Sequence, residues 1–292
     1  MASLATTANL VKEHYLPLIK SRQTFLLALT GAAGYLCLPP VFMDWFRFFS
    51  LAGSLLLTIS GCTVLNMLFD RDIDYKMERT RHRPLVEGKV NPLTAAWLGT
   101  VLLLFGLFWA ALLSLQYFGV ILVGACLNVL VYTVWLKRHT AWSILWGGVA
   151  GGMPILAGHV LAVDHLDVLG LLLALIIVCW IPSHNLTLSM LYSTDYRQAG
   201  VPTVLNTYGE KVTLGIVTFS SLLVSIILIV VFTQLGLTGF SMTLFYAVSI
   251  ALVSLAIISW IKPQRKLLAI LYKFSSLYLL VSTYLLVLSG IS

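Results

Sequence analysis

The sequence predicts an all-α membrane protein with nine transmembrane helices. Of its 292 residues, 59% are hydrophobic and only 10% are charged, whereas soluble domains carry roughly 25% charged residues. Windows of about 20 apolar residues, long enough to cross a hydrocarbon core as a helix, follow one another along the chain. Lysine and arginine fall almost wholly on alternate connections, the asymmetry that orients a helical bundle in a bilayer.

Residues 1–23 read as an N-terminal segment at the inner interface. Val11 to Arg22 mixes Lys12, Lys20 and Arg22 with Tyr15, Leu16, Leu18 and Ile19. That pattern suits a short helix in the headgroup plane and is too polar for the core of a signal peptide. A single spanning domain, 24–292, follows, with windows at about 24–40, 46–69, 93–113, 115–136, 142–163, 168–190, 212–234, 240–261 and 267–289. Outer connections are short: Pro39–Trp45, Gln116 within Ser114–Tyr117, Asp164–Asp167 and Gly236–Gly239. Two inner connections, 70–91 and 191–211, are long, and long ordered loops tend to carry function. They follow the second and sixth spans, four helices apart, which divides the chain into two four-helix units plus a ninth helix. The enclosed cavity is expected to open near the inner membrane face.

With the N-terminus inside, the inner segments hold Lys12, Lys20 and Arg22; Arg71, Lys76, Arg79, Arg81, Arg83 and Lys89; Lys137 and Arg138; Arg197 and Lys211; and Lys262, Arg265, Lys266 and Lys273. Of the 18 cationic residues only Arg47 lies outside. The C-terminus is therefore expected outside, in a multi-pass protein of the cytoplasmic membrane. The net charge of +7 reports topology and lipid headgroup contact, not a nucleic-acid partner. Cys37, Cys62, Cys126 and Cys179 lie in or beside spans and read as small buried hydrophobes with no disulfide.

Asn66, Asp70 and Asp74 stand at i, i+4 and i+8, so on a helix they share one face. Three oxygen-bearing side chains on one stripe suit a hard cation such as Mg2+, which takes one or two carboxylates and completes its shell with water and substrate phosphate. Polar groups that begin inside a span are costly and mark function. The surrounding arginines suit a polyanion, since guanidinium groups bind phosphate oxygens in bidentate fashion. Asp72 and Glu78 have no assigned role. In the second inner loop Asp195 and Arg197 could face the first cluster. Ahead of that loop come Pro182, which removes a backbone donor, and His184, either a structural hydrogen-bonder or a cavity residue. Gly147 to Pro154 gives a small-residue face, for close helix packing or for room beside a flat substrate.

The run N-x-x-x-D-R-D-I-D-x-x-M-x-R-T-x-x-R-P at 66–84, Y-T-x-x-x-K-R-x-T at 132–140 and the block His184 to Pro202 resemble the protohaem IX farnesyltransferases (haem O synthases) among the UbiA-type intramembrane prenyltransferases. The resemblance covers about residues 20 to 290. It departs at Asn185, where an aromatic is usual, at Ser143, where an Asn is usual, and in offering one carboxylate, Asp195, in the second acidic block. It implies Mg2+-dependent transfer of a farnesyl group from farnesyl diphosphate to a vinyl group of haem b, which is substrate and not cofactor. Asn66, Asp70, Asp74 and Asp195 would hold one or two Mg2+ ions. Arg71, Arg79, Arg83, Lys137, Arg138 and Arg197 would bind diphosphate, with Asp70, Asp74, Lys137 and Arg138 carrying catalysis. Tyr132, His184 and Tyr192 would line the acceptor and prenyl cavity. Membrane lipid is the surrounding partner; a haem-modifying partner enzyme and a homo-oligomer are left open. The rival acceptors are a hydroxybenzoate, a quinone precursor or a lipid alcohol. A secondary transporter is the remote rival, because its charges would lie near the midplane.

Overall fold

The computed structural model describes residues 11–38 and 44–291, so most of the connection expected at Pro39–Trp45 and the first ten residues lie outside it. All regular structure among the described residues is helical. A π-helical turn at Val11–Tyr15 leads into α1 (Ser21–Leu36) and α2 (Trp45–Phe69). A short α3 (Arg71–Lys76) precedes α4 (Pro92–Leu113), α5 (Leu115–Arg138), α6 (Ser143–Val163) and α7 (Val168–Leu191). A second short helix, α8 (Ser193–Gln198), precedes α9 (Val204–Gln234), α10 (Gly239–Ile261) and α11 (Arg265–Ile291).

Eight of these helices, α2, α4 to α7 and α9 to α11, are long and apolar enough to cross a membrane. The expected first span is the shorter α1, 16 residues, which packs against α2, α6 and α11.

Helix starts follow from capping chemistry. The carboxylates of Asp44 and Asp167, the amide oxygen of Asn91 and the hydroxyl of Thr203 each accept a backbone N–H of the turn they precede, satisfying donors that a helix start leaves free. Pro92 adds a fixed φ at the first position of α4. The outer connection expected around Gln116 is instead the single residue Ser114, extended at φ −165°. Its N–H still bonds the Ala110 carbonyl, and helix resumes at once with Leu115. The two long loops are also more regular than expected. Residues 70–91 contain α3, and 191–211 contains α8 and the start of α9, which bends at Gly209.

The buried apolar residues form two main lobes. One draws on α1, α2, α4, α5 and α6 through residues such as Ala28, Leu51, Leu107, Tyr117 and Leu161. The other draws on α7, α9, α10 and α11, with Ile155 of α6 joining it. Exposed large hydrophobics, such as Phe46, Leu112 and Phe240, cover the outside, as expected for a surface solvated by lipid. Cys126 is exposed, unlike the other three cysteines, because it lies on the outer side of α5.

Small residues let the helices touch without intervening side chains. A Cβ at Gly158 of α6 would strike the carbonyl of Gly31, one at Gly34 would strike the carbonyl of Ile155, and one at Gly290 of α11 would strike the carbonyl of Leu36. The second half of α1 is thus clasped by backbone on two sides. The face from Gly147 to Pro154 has the packing role: Gly151 and Gly152 meet Ile181 and Ala174 of α7, and Gly147 meets the Tyr132 ring.

Candidate active site

Asn66 occupies the last turn of α2, and Asp70 sits at the junction with α3 at φ −87°, ψ 3°. The break does not cost the stripe its register. The Asp70 N–H bonds the Asn66 carbonyl at 2.9 Å and the Asp74 N–H bonds the Asp70 carbonyl at 2.8 Å. All three side chains therefore keep the i, i+4, i+8 stacking. Asp70 and Asp74 are 1% and 4% exposed, so both carboxylates are out of bulk solvent and need partners.

Those partners come from distant segments. Lys137, at the end of α5, puts its Nζ 2.5 Å from Asp70 Oδ2. The same oxygen accepts the Asn66 amide at 3.1 Å. Arg83 pairs with Asp74 Oδ2, and the Thr80 hydroxyl donates to the Asp74 carbonyl at 3.2 Å, closing the turn that brings Arg83 back. Lys20, just ahead of α1, donates from Nζ to Asn66 Oδ1 at 3.0 Å. Burial and the nearby Arg83 and Lys137 charges pull its ammonium down to about 7. Its backbone is left-handed at φ 43°, a conformation that costs a non-glycine residue about 1 kcal/mol or more.

Arg138 turns the other way. Its guanidinium forks onto both oxygens of Asp72 at 2.7 Å and bonds the Phe69 carbonyl at 2.7 Å. Asp72 thereby gains the partner that sequence could not assign, and Arg138 holds it at about 2. The two long loops meet each other. Ile73 and Met77 pack with Ala199, Val201 and Tyr196, Asp195 accepts the Arg79 backbone N–H at 3.1 Å, and the Arg79 guanidinium lies 5.4 Å above the Tyr192 ring. Asp195 thus joins the two loops in this structure, apart from the Asp70 cluster. Arg71 and Arg197 are exposed. Tyr132 is half-buried against Gly147. His184 stacks between Trp180 and Tyr272, at 4.8 and 4.5 Å, and bonds the Ser275 hydroxyl at 3.1 Å.

Sequence reading missed Lys20 and Thr133. Thr133 is wholly buried and accepts the Asn66 amide at 2.9 Å. The available signal for Lys20 was its place as the last cation before α1; for Thr133 it was a hydroxyl one turn before Lys137.

The donor set fits a hard cation. Asp70 Oδ1 is buried and has no hydrogen-bond partner, and a buried carboxylate oxygen in that state is costly until a positive group reaches it. Among the described residues no three His, Cys, Asp or Glu side chains converge closely enough to hold an ion by themselves. An ion here would draw its remaining oxygens from Asn66, water and substrate, the usual habit of Mg2+.

These features define a class: a polytopic helical membrane protein with a buried acid–amide–base cluster where two spans end. The chain belongs to the UbiA prenyltransferase family, whose model matches residues 26–285. It is 37% identical over 215 residues to a protoheme IX farnesyltransferase of Korarchaeum cryptofilum (strain OPF8), covering 74% of this chain and 72% of that protein. Its fold is that of a digeranylgeranylglyceryl phosphate synthase, with a TM-score of 0.80 at 19% identity, covering 95% of this chain and 97% of that one. A UbiA homolog from Archaeoglobus fulgidus bound to DMAPP and Mg2+ superposes with a TM-score of 0.69 at 15% identity, covering 94% and 99%.

Proposed function

We propose that the protein transfers a farnesyl group from farnesyl diphosphate to a vinyl group of protohaem IX, releasing diphosphate and giving haem O. The observation that carries the reading is the pairing of a buried, half-unsatisfied Asp70 with Lys137 and with Asn66, whose amide oxygen accepts from Lys20. An anionic leaving group and a divalent cation together would satisfy every member of that cluster. The relatives' names supply the acceptor.

Asn66, Asp70 and Asp74 would hold Mg2+, with Asp195 entering if the inner loops shift toward the cluster. When bound, the ion neutralises charge that builds on the departing diphosphate. Lys137, Lys20 and Arg83 face that same charge from three segments, a fixed array that needs no reorganisation as the allylic C–O bond breaks. Arg79, Arg71, Arg197 and Arg138 stand at the rim, where they attract and orient the polyanion. Apolar helices shelter the farnesyl chain and keep water from the electron-poor allylic carbon. Tyr132 and Tyr192 offer ring faces to its positive charge. His184 is aligned by its two aromatic neighbours for a planar acceptor.

In the same reading α1 is the first of nine spans, residues 24–292 form one domain around a cavity, and the charged loops and N-terminus lie on the cytoplasmic side. A lipid-alcohol acceptor is the second reading, favoured by the closeness of the fold to the digeranylgeranylglyceryl phosphate synthase. The test is to incubate the purified protein in nanodiscs with farnesyl diphosphate, Mg2+ and haem b, then with lipid and phenolic acceptors, and weigh the products. A farnesylated haem whose formation stops in Asp70→Asn supports the proposal. Prenylated lipid or phenol without a haem adduct overturns the acceptor, and full turnover by Asp70→Asn overturns the site.

A further inference from the structure

α5 does not reach the site as an ordinary α-helix. From Leu127 to Trp135 it is π-helical, nine residues long, whereas π geometry usually appears as single turns near functional sites. In that stretch the Thr133 hydroxyl lies 2.7 Å from the carbonyl of Asn128, five residues back. It also lies 2.9 Å from the Asn66 amide. A threonine hydroxyl owns one hydrogen and two lone pairs. A carbonyl only accepts, so the hydrogen goes to Asn128. Toward Asn66 the hydroxyl can then only accept.

Asp70 Oδ2, the second neighbour of that amide at 3.1 Å, also only accepts as a carboxylate. Both contacts therefore demand the NH2 end of Asn66. The third neighbour, Lys20 Nζ at 3.0 Å, donates in its ammonium form and in that form demands the oxygen end. Each neighbour fixes the same orientation: nitrogen toward α5, Oδ1 toward the cationic side of the cluster. With the amide turned over, a donor would face Lys20 and an acceptor would face two acceptors.

We propose that Thr133 is a positioning residue that holds the Asn66 amide oxygen toward the metal–diphosphate site, and that the π-helical stretch supplies the carbonyl that makes its hydroxyl an obligate acceptor. This rests on the Mg2+–diphosphate reading given above. Thr133 touches neither substrate nor ion; it acts through Asn66.

The test is binding, not turnover. The affinity of the full-length protein in nanodiscs for the inert analogue farnesyl thiolodiphosphate is measured by calorimetry across a Mg2+ series. Thr133→Val keeps the shape and removes the hydroxyl; it should weaken Mg2+-dependent binding about tenfold, the scale of one buried hydrogen bond left unmade. Thr133→Ala, run in parallel, should lose as much, and Thr133→Ser should stay within about twofold of wild type because it restores the hydroxyl. In an Asn66→Asp background, where either end of the side chain is oxygen, Thr133→Val should cost nothing further. An equal loss in both backgrounds, or wild-type binding by Thr133→Val, overturns the proposal. Asp70→Asn separates the two levels: if it keeps Mg2+-dependent binding, the metal–diphosphate reading itself falls. If it loses that binding while Thr133→Val does not, only the positioning role falls.

Discussion

Replacing Lys137 with methionine keeps the side chain's length and removes its charge. Asp70, at 1% exposed, then retains a buried carboxylate with one hydrogen bond, from Asn66. Removing one partner of a buried ion pair costs about 3–5 kcal/mol, because the remaining charge is left uncompensated. The Asn66 amide and the neighbouring Lys20 ammonium set the value at the lower end, about 3 kcal/mol. At roughly 2–4 °C per kcal/mol for a chain of this order of size, the thermal midpoint should fall by about 6–12 °C. Intrinsic tryptophan fluorescence during heating in detergent without Mg2+ reads this directly. The double variant Lys137→Met/Asp70→Asn should recover most of the loss, since no charge is left stranded. A single variant within about 1 kcal/mol of wild type, or a double variant no more stable than the single, would refute the view that the pair is a buried, mutually dependent unit.

Lys20→Met should weaken binding of farnesyl diphosphate about tenfold, the effect of one charge-assisted hydrogen bond, as read by titration calorimetry with the inert analogue. Gly209 sits at φ 82°, ψ 174° with no atom crowding an added Cβ. Gly209→Ala should therefore cost about 1–3 kcal/mol through backbone strain alone, seen as a lower thermal midpoint. Arg138 depresses the Asp72 carboxyl to about 2, so the stabilising contribution is present above its ordinary value and lost as pH falls through about 2. Because Asp72 is 60% exposed, Asp72→Asn should cost at most about 1 kcal/mol at pH 7. That small difference should vanish near pH 2 in denaturant titrations.

Eight of the expected spans were legible because lipid demands long apolar runs, and the Asn66–Asp70–Asp74 stripe was legible because helical spacing survives the α2–α3 junction. Partners across space were not. Nothing in the local pattern ties residue 20 to residue 66, so Lys20 read as an interfacial charge. Arg138 and Lys137 are adjacent in sequence but serve different carboxylates, Asp72 and Asp70. That division depends on how the irregular end of α5 turns, and apolar periodicity carries no sign of it. Thr133 looked like one more hydroxyl in a span. His184 was open between two roles, and its stacking on Tyr272 required a residue some ninety positions away. Ser114 was hidden because a one-residue interruption scarcely lowers the hydropathy of the windows on either side.

The clasp on α1 has a consequence for how the sequence can drift. Gly31 and Gly34 fix the rotation and depth of that helix against α6, and Leu36 does so against Gly290. Lys20 hangs from the opposite end, 14 residues before Gly34 and roughly 21 Å away along the axis. One inserted or deleted residue between them would swing Lys20 by about 100° and move it about 1.5 Å. The helix therefore behaves as a ruler, with its zero mark at one end and its reading taken at the other. Point substitutions along its lipid face leave the scale intact, whereas changes in length do not.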